Sequence, residues 1–222
     1  MENVEKLEYS SESIKNMNER YRAAFINSLS GFKSGNMVGS IDKSSAGSLT
    51  NLAIFSSCFH LGASPPLLGL VSRPNATSRH TLDNIEKSGV YTINHINSGI
   101  FKKAHQTSAR YSKETSEFHA TGLTPEYIDN FEAPFVKESN LKIAMKLKQI
   151  LPIEINQTQM IIGEIVNIII CPLKHNPIDE QTGHIDINKL DSIAISGLDH
   201  YHVTKSLGRL SYAKPDRPTK FI

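Results

Sequence analysis

Cationic and hydroxyl side chains in the middle of the sequence are suited to binding a phosphate group. Arg73, Arg79, His80 and Thr81 lie in the segment SRPNATSRHTLDNI (72–85), where a loop leads into a predicted helix. Guanidinium groups make directional hydrogen bonds to phosphate oxygens, and the free N–H groups at a helix start favour negative charge. The same residues also fit a plainer interpretation, in which the arginines are solvated loop charges and Thr81 only caps the helix.

A second segment, TNLAIFSS (50–57), places small hydroxyl and amide side chains along the end of a predicted strand. Together with the loop around Arg73 it forms the most informative pair of segments in the sequence. Neither segment is decisive alone.

Other residues with reactive side chains do not form a recognised site. His200 and His202 share a strand face beside Asp199, but a zinc site needs three or four ligands and no further spaced pair supplies them. Cys58 lies between Ser57 and Phe59, and His60 follows two positions after it. Because adjacent strand residues point to opposite faces, we interpret Cys58 as a buried structural thiol. Neither a Rossmann, P-loop or GxSxG motif nor a HExxH pair occurs.

Composition excludes several classes of protein. The 222 residues include 24 basic and 22 acidic side chains, and a net charge of +2 gives no reason to expect a nucleic-acid or membrane partner. Two cysteines, Cys58 and Cys171, are too few for a disulfide framework. The most apolar stretch (160–173) is interrupted by Glu164 and Asn167 and is shorter than a membrane span. The N-terminus lacks the apolar region of a secretory signal, so we expect a soluble, cytoplasmic protein.

The elements that must position these side chains are mostly strands. Helical spacing predicts one amphipathic helix over 11–29, and a change of period predicts a hairpin of strands over 36–42 and 48–57. A buried strand over 67–72 precedes a short helix that starts near Thr81 and stops at Gly89, and another strand follows over 90–96.

Patterns in the middle of the sequence are weaker. A helix is expected within 98–108, whereas 112–130 is expected to be mostly loop with short helical turns. Strict alternation over 141–150 predicts a half-buried strand with Lys142, Lys146 and Lys148 in solvent, and 160–171 reads as a long central strand. Late elements are expected at 185–186 and 192–203. Many strands with few short helices indicate a mainly β barrel.

In order and spacing, these segments resemble the flavin reductase-like proteins with an FMN-binding split β-barrel. The resemblance covers most of the chain from about 36 to 198, and RLSYAKPD (209–216) is similar to the tail of one subgroup. It is carried by NLAIFSS (51–57), SPPLLGLVSR (64–73), RHTLDNI (79–85), GVYTIN (89–94), GLTP (122–125), EAPFVKES (132–139) and IGEIV (162–166).

The resemblance implies a six-stranded Greek-key barrel that binds FMN non-covalently near the interface of a homodimer. It implies one domain over 1–222, with a helical extension at 1–35 and a tail at 199–222. The flavin-binding residues carried over by position are Asn51, Ala53, Ser56, Ser57, Ser72, Arg73, Arg79, His80, Thr81 and His105. Relatives often carry proline in place of Ile54 and lysine near Arg79, where arginine can serve as the phosphate ligand.

The implied activity is hydride transfer from NADH or NADPH to FMN, with electrons passed to an acceptor such as a partner oxygenase. A bound flavin carries the redox chemistry, which agrees with the missing acid, base and nucleophile motifs. A carrier or sensor that binds FMN without turnover is the alternative, because one fold can host several functions. A nucleic-acid-binding barrel ranks last, because tryptophan is absent and aromatic residues make up only 7% of the chain.

Overall fold

Antiparallel strands make up most of the protein. The computed structural model describes residues 6–43, 49–73, 80–171 and 173–222. The helices are α1 (Ser11–Lys15), α2 (Glu19–Ser28), α3 (His80–Ser88), α4 (Phe101–Gln106) and α5 (Glu117–Thr121). The strands are β1 (Lys33–Ser34), β2 (Asn36–Asp42), β3 (Leu49–Phe55), β4 (Phe59–Ala63), β5 (Pro66–Ser72), β6 (Val90–His95), β7 (Pro125–Ile128), β8 (Phe131–Val136), β9 (Leu141–Ile153), β10 (Thr158–Ile170), β11 (Ala194–Ser196) and β12 (His200–His202).

The main sheet has seven antiparallel strands in the order β3-β2-β6-β9-β10-β5-β4. It curls until Ser57, just beyond edge strand β3, reaches β5. The Ser57 Oγ donates to the Val71 carbonyl at 2.8 Å and accepts from the Val71 N–H at 3.2 Å. The result is an incompletely closed barrel, and the mainly β prediction is confirmed.

Two apolar clusters hold the helices on this barrel. Helix α3 packs Leu82 and Ile85 into the first, with Tyr91 and Met145 from the sheet. This helix ends as predicted, because Gly89 has φ +73° and its N–H donates to the Ile85 carbonyl at 2.9 Å. The second cluster joins α4 and α5 to β3 through Ile100, Ala104, Phe118 and Leu52.

A smaller sheet joins the two ends of the chain. Its order is β1-β11-β12, and Lys33 pairs with Ile195. The Lys33 ammonium also donates to the Gly197 carbonyl at 3.0 Å, in the turn between β11 and β12. The hairpin β11–β12 is therefore fixed to residues near the start of the described chain.

The single helix predicted over 11–29 is wrong, because the chain forms two helices separated by Asn16, Met17 and Asn18. The Asn18 side chain accepts hydrogen bonds from the N–H groups of Arg20 and Tyr21, at 3.0 and 3.5 Å, and so starts a new helix. Neither helix has a buried residue.

The prediction that Lys142 faces solvent is also wrong. Lys142 is 1% exposed and forms an ion pair with Glu126 of β7. Its neighbours Ile143 and Ala144 are buried as well, so both faces of this half of β9 are covered. Lys146 and Lys148 are exposed as expected.

Four strands lie where the sequence carried no strand prediction: β1, β4, β7 and β8. Segment 112–130 contains the short helix α5, as expected, but also the strand β7, which was not predicted. Residues 185–186 form no strand, only a single bridge between Ile185 and Ile178. In the part of the chain that the structure describes, no helix has the length and apolarity needed to cross a membrane.

Candidate functional site

A cavity of about 410 Å³ opens beside edge strand β3. Its walls come from β3, the end of β5, the start of α3, the segment from α4 to α5, and the hairpin β11–β12. This volume is within the range of small-molecule sites, which runs from about 300 to 1,000 Å³.

The structure brings the sequence-predicted site residues together around this cavity. Arg79 lies outside the described residues. The other nine all line it: Asn51, Ala53, Ser56, Ser57, Ser72, Arg73, His80, Thr81 and His105.

The Asn51 side chain is already occupied by protein partners. Its amide N–H groups donate to the two carboxylate oxygens of Glu117, at 3.1 and 2.9 Å. Its carbonyl oxygen accepts from the hydroxyls of Ser40, at 3.1 Å, and Thr81, at 2.9 Å. Asn51 therefore joins β3 to α3 and α5 and shapes the cavity rather than offering it a free amide.

Glu117 is the buried centre of this network. It is 6% exposed, and its carboxylate also accepts from the Leu52 N–H at 2.9 Å. Burial raises the pKa of the Glu117 carboxyl, while the hydrogen bond from Leu52 opposes that rise. No local pattern indicated this residue, because its partners lie 65 and 66 positions away along the chain.

The backbone of β3 presents polar groups to the cavity. Leu52 directs its N–H to Glu117, away from the neighbouring strand β2. In an antiparallel pair, alternate residues point their N–H and C=O to the same side, and β3 pairs with β2 without a bulge. The N–H and C=O of Ile54 therefore also point away from β2, at a residue that lines the cavity. Among the described residues, neither group has a backbone partner.

Two arginines give the cavity a cationic rim. Arg73 and Arg110 both line it, and within the described residues neither guanidinium has a hydrogen bond or an ion pair. Burial, and then the charge of Arg73, lower the pKa of nearby Lys33. Unpaired guanidinium groups at a cavity rim are suited to an anionic ligand. Arg110 was not predicted, because the segment around it lacked a periodic pattern.

Three further residues that were not predicted form an apolar and aromatic wall of the cavity. Ile195, Leu198 and Tyr201 reach the cavity from the hairpin β11–β12. Tyr201 Oη lies 2.7 Å from Nδ1 of His105. Nothing in the local sequence indicates that residues near 200 meet residues near 51 and 105.

The reactive residues considered outside this cavity have ordinary surroundings. Burial raises the pKa of the Cys58 thiol to about 12, and Cys58 packs against the first apolar cluster, which confirms its structural interpretation. His202 Nε2 lies 2.8 Å from the Ser196 hydroxyl, and exposed His200 lies beside Asp199. No group of three or more metal-binding side chains occurs within the described ranges.

Solved structures share this architecture. A split-barrel protein of Shewanella frigidimarina NCIMB 400, provisionally assigned as a flavin reductase, is 50% identical, with a TM-score of 0.87 over 94% of this chain and 100% of that one. Nitrilotriacetate monooxygenase component B from Bacillus cereus has the same fold at 19% identity, with a TM-score of 0.78 over 93% of this chain and 99% of that one.

Sequence comparisons give the family. An uncharacterized protein of Aquifex aeolicus (strain VF5) is 27% identical over 118 residues, 52% of this chain. The chain spans only 60% and 54% of the two curated relatives that it matches. The sequence model of the flavin reductase like domain matches residues 29–182, well over half of the chain. The protein thus belongs to the flavin reductase-like domain family.

Proposed function

We propose that the protein is a flavin-dependent oxidoreductase that binds FMN non-covalently in the cavity beside β3 and takes reducing equivalents from NADH or NADPH. The observation that carries this proposal is that one cavity is lined by Arg73, Arg110 and Ile54. Among the described residues, the two guanidinium groups have no hydrogen bond or ion pair, and the N–H and C=O of Ile54 have no backbone partner. Membership of the flavin reductase-like family makes a flavin the natural ligand for such a site.

The residues around the cavity match the two chemically different parts of FMN. A phosphate needs cationic and hydroxyl donors, which Arg73, His80 and Ser72 supply at the end of β5 and the start of α3. A flat ring with polar edges needs apolar contact together with hydrogen-bonding groups. The side chain of Ile54 and its backbone N–H and C=O meet that need.

Bound FMN would supply the redox chemistry, by accepting a hydride equivalent and passing its electrons on. The N–H of Ile54, which points away from β2 at the cavity, would stabilise negative charge on a bound ring. Thr81 is held by Asn51 at 2.9 Å, so the start of α3 keeps a fixed position relative to β3. Apolar contacts from Phe55 and Val71 would exclude water from the ring.

The acceptor, the oligomeric state and the cellular location belong to the same proposal. We expect a homodimer in the cytoplasm that passes electrons to a second flavin or to a partner oxygenase. The support for an oxygenase partner is the fold shared with a protein named as component B of nitrilotriacetate monooxygenase.

Anaerobic mixing of the purified protein with FMN and NADH or NADPH tests the proposed activity. We expect FMN to bind and its visible absorbance to bleach with at least one nucleotide. If FMN binds and the absorbance persists with both, the protein is a flavin carrier or sensor and the reductase assignment is refuted.

A second experiment tests where the phosphate binds. Arg73→Ala should weaken FMN binding about tenfold or more, the expected effect of losing one hydrogen bond to a charged group. Riboflavin lacks the phosphate, so its binding should change little. Arg217→Ala removes an exposed arginine that does not line the cavity and serves as the matched control. Equal weakening of FMN and riboflavin by Arg73→Ala would remove Arg73 from the phosphate site.

A further inference from the structure

Tyr201 and His105 contact each other in the wall of the cavity. Tyr201 comes from β12, outside the residues 29–182 that match the family. Its ring rests on one face of α4, with centroids 5.5 Å from Phe101 and 5.6 Å from His105. Two residues four positions apart on one helix therefore fix the ring, and the 2.7 Å contact between Nδ1 and Oη fixes its hydroxyl.

This pair keeps one hydrogen-bond donor free whichever of the two atoms donates in the contact between Nδ1 and Oη. If the Tyr201 hydroxyl donates to Nδ1 of neutral His105, the imidazole carries its own proton on Nε2 and can donate from there. If Nδ1–H donates to Tyr201, the Tyr201 O–H remains free. Burial, and then the charge of Asp199, raise the pKa of Tyr201 to about 12, so the phenol keeps its proton at neutral pH.

The same hairpin adds an apolar surface beside this donor. Leu198 lines the cavity and is 44% exposed, and Ile195 lines the cavity from the adjoining strand β11. A donor next to exposed apolar side chains suits a flat ring that carries a hydrogen-bond acceptor.

We propose that the hairpin β11–β12 forms a second subsite of the cavity, for a flat ring bearing a carbonyl-type oxygen, and that the Tyr201–His105 pair donates a hydrogen bond to that oxygen. This inference rests on the proposed function, in which FMN occupies the first subsite. The carboxamide of a nicotinamide nucleotide and the carbonyl of a quinone-like electron acceptor share the required chemistry. Tyr201 would then determine which ring ligand is accepted.

The test measures binding to the oxidised, FMN-loaded protein, so it does not depend on turnover. NAD⁺, NADP⁺ and menadione are titrated into the wild type and Tyr201→Phe, with AMP as the control for the adenine half of the nucleotides. Tyr201→Phe keeps the ring packing and removes only the hydroxyl. We expect Kd to rise about 2- to 13-fold, the effect of losing one hydrogen bond, for the class of probe that uses the subsite. The Kd of FMN should stay within about twofold of the wild-type value.

The three kinds of probe distinguish the two sources of the ring. A rise confined to NAD⁺ and NADP⁺ identifies the subsite with the nicotinamide donor, and a rise confined to menadione identifies it with the acceptor. His105→Asn places an amide near the position of Nδ1 and should retain more affinity than His105→Ala. Tyr212→Phe removes a hydroxyl from a 90% exposed tyrosine away from the cavity and is the matched control.

Unchanged Kd values for all three probes in both Tyr201→Phe and His105→Ala, or no binding of any probe to the wild type, would overturn the second subsite. A rise in the Kd of FMN alone would place Tyr201 on the first ligand and overturn it as well. Failure of the proposed function shows separately, as wild-type protein whose FMN absorbance persists with NADH and NADPH. In that case the menadione titration still decides whether the subsite exists.

Discussion

Replacing Glu117 by alanine should destabilise the protein by removing the acceptor at the centre of the β3 network. The carboxylate accepts both amide N–H groups of Asn51 and the N–H of Leu52. Both partners are buried, and Leu52 has no other hydrogen-bond partner on this side of β3 within the described chain. The substitution therefore leaves two buried donor groups without an acceptor.

The magnitude follows from these two groups. A buried donor left unsatisfied costs about 1–3 kcal/mol, so two cost about 2–6 kcal/mol. Burial disfavours the Glu117 charge, as its raised pKa shows, and removing the charge recovers part of this cost. We expect Glu117→Ala to lower the free energy of unfolding by about 2–4 kcal/mol. Glu117→Gln can still accept from Leu52, but its amide N–H groups face those of Asn51, so a loss of about 1–2 kcal/mol is expected.

Urea denaturation with a common m-value measures both losses, and Glu86→Ala, at an exposed position of α3, is the matched control.

The pH dependence gives a second readout. A carboxyl whose pKa is raised in the folded protein contributes stability below its unfolded pKa and loses that contribution as pH rises through the folded value. Glu117→Gln cannot titrate at this position. As pH falls, the free energy of unfolding of the wild type should therefore rise relative to that of Glu117→Gln.

A loss below about 0.5 kcal/mol in Glu117→Ala would refute this account, because a loss that small is typical of ordinary surface substitutions. A double-mutant cycle with Asn51→Ala adds a stricter criterion. Residues that share a hydrogen-bond network couple by about 0.5–3 kcal/mol. Additive losses would show that the two side chains do not act as one network.

Three further predictions concern buried polar groups outside the cavity. The Tyr91 hydroxyl is buried without a partner in the described structure, so Tyr91→Phe should stabilise the protein by up to about 1 kcal/mol in urea denaturation, and a loss of stability would indicate an unseen partner. Glu126→Ala leaves the buried Lys142 ammonium unpaired and should cost about 3 kcal/mol, whereas adding Lys142→Met should recover most of that loss; no recovery would argue against a charge effect. Burial lowers the pKa of His95 to about 4, so stability should fall as pH drops from about 6.5 to 4, by about 3 kcal/mol in total. His95→Asn should remove that pH-dependent loss, and an unchanged pH profile would exclude His95 as its source.

Local patterns predicted six of the seven strands of the main sheet, and only β4 was missed. The alternation that begins at Leu141 and the continuous apolar run of β5 both correspond to strands of the main sheet. The Asn18 cap and the burial of Lys142 escaped prediction for different reasons. An asparagine inside a helical pattern can either join the helix or start a new one. Lysine in an alternating strand appears solvated until a partner such as Glu126 is known.

The candidate site was predictable as a set of residues, but their individual roles were not. Asn51, Ser57 and Thr81 all line the cavity, yet their side chains are occupied by Glu117, Val71 and each other. These partners come from elsewhere in the chain, so no local pattern reveals that the side chains are occupied. Among the described residues, the backbone N–H and C=O of Ile54 lack a backbone partner at the cavity, and an isoleucine side chain gives no indication of this.

The hairpin β11–β12 makes the cavity dependent on the order in which the chain is synthesised. Residues of β3 leave the ribosome roughly 150 residues before Ile195 and Tyr201, which is about 7 to 30 seconds at ordinary elongation rates. The barrel strands can pair during that interval, but the wall that carries Tyr201 does not yet exist. A nascent chain that stalls before the hairpin would hold an open-sided cavity, so the complete cavity wall can form only after translation has passed residue 202.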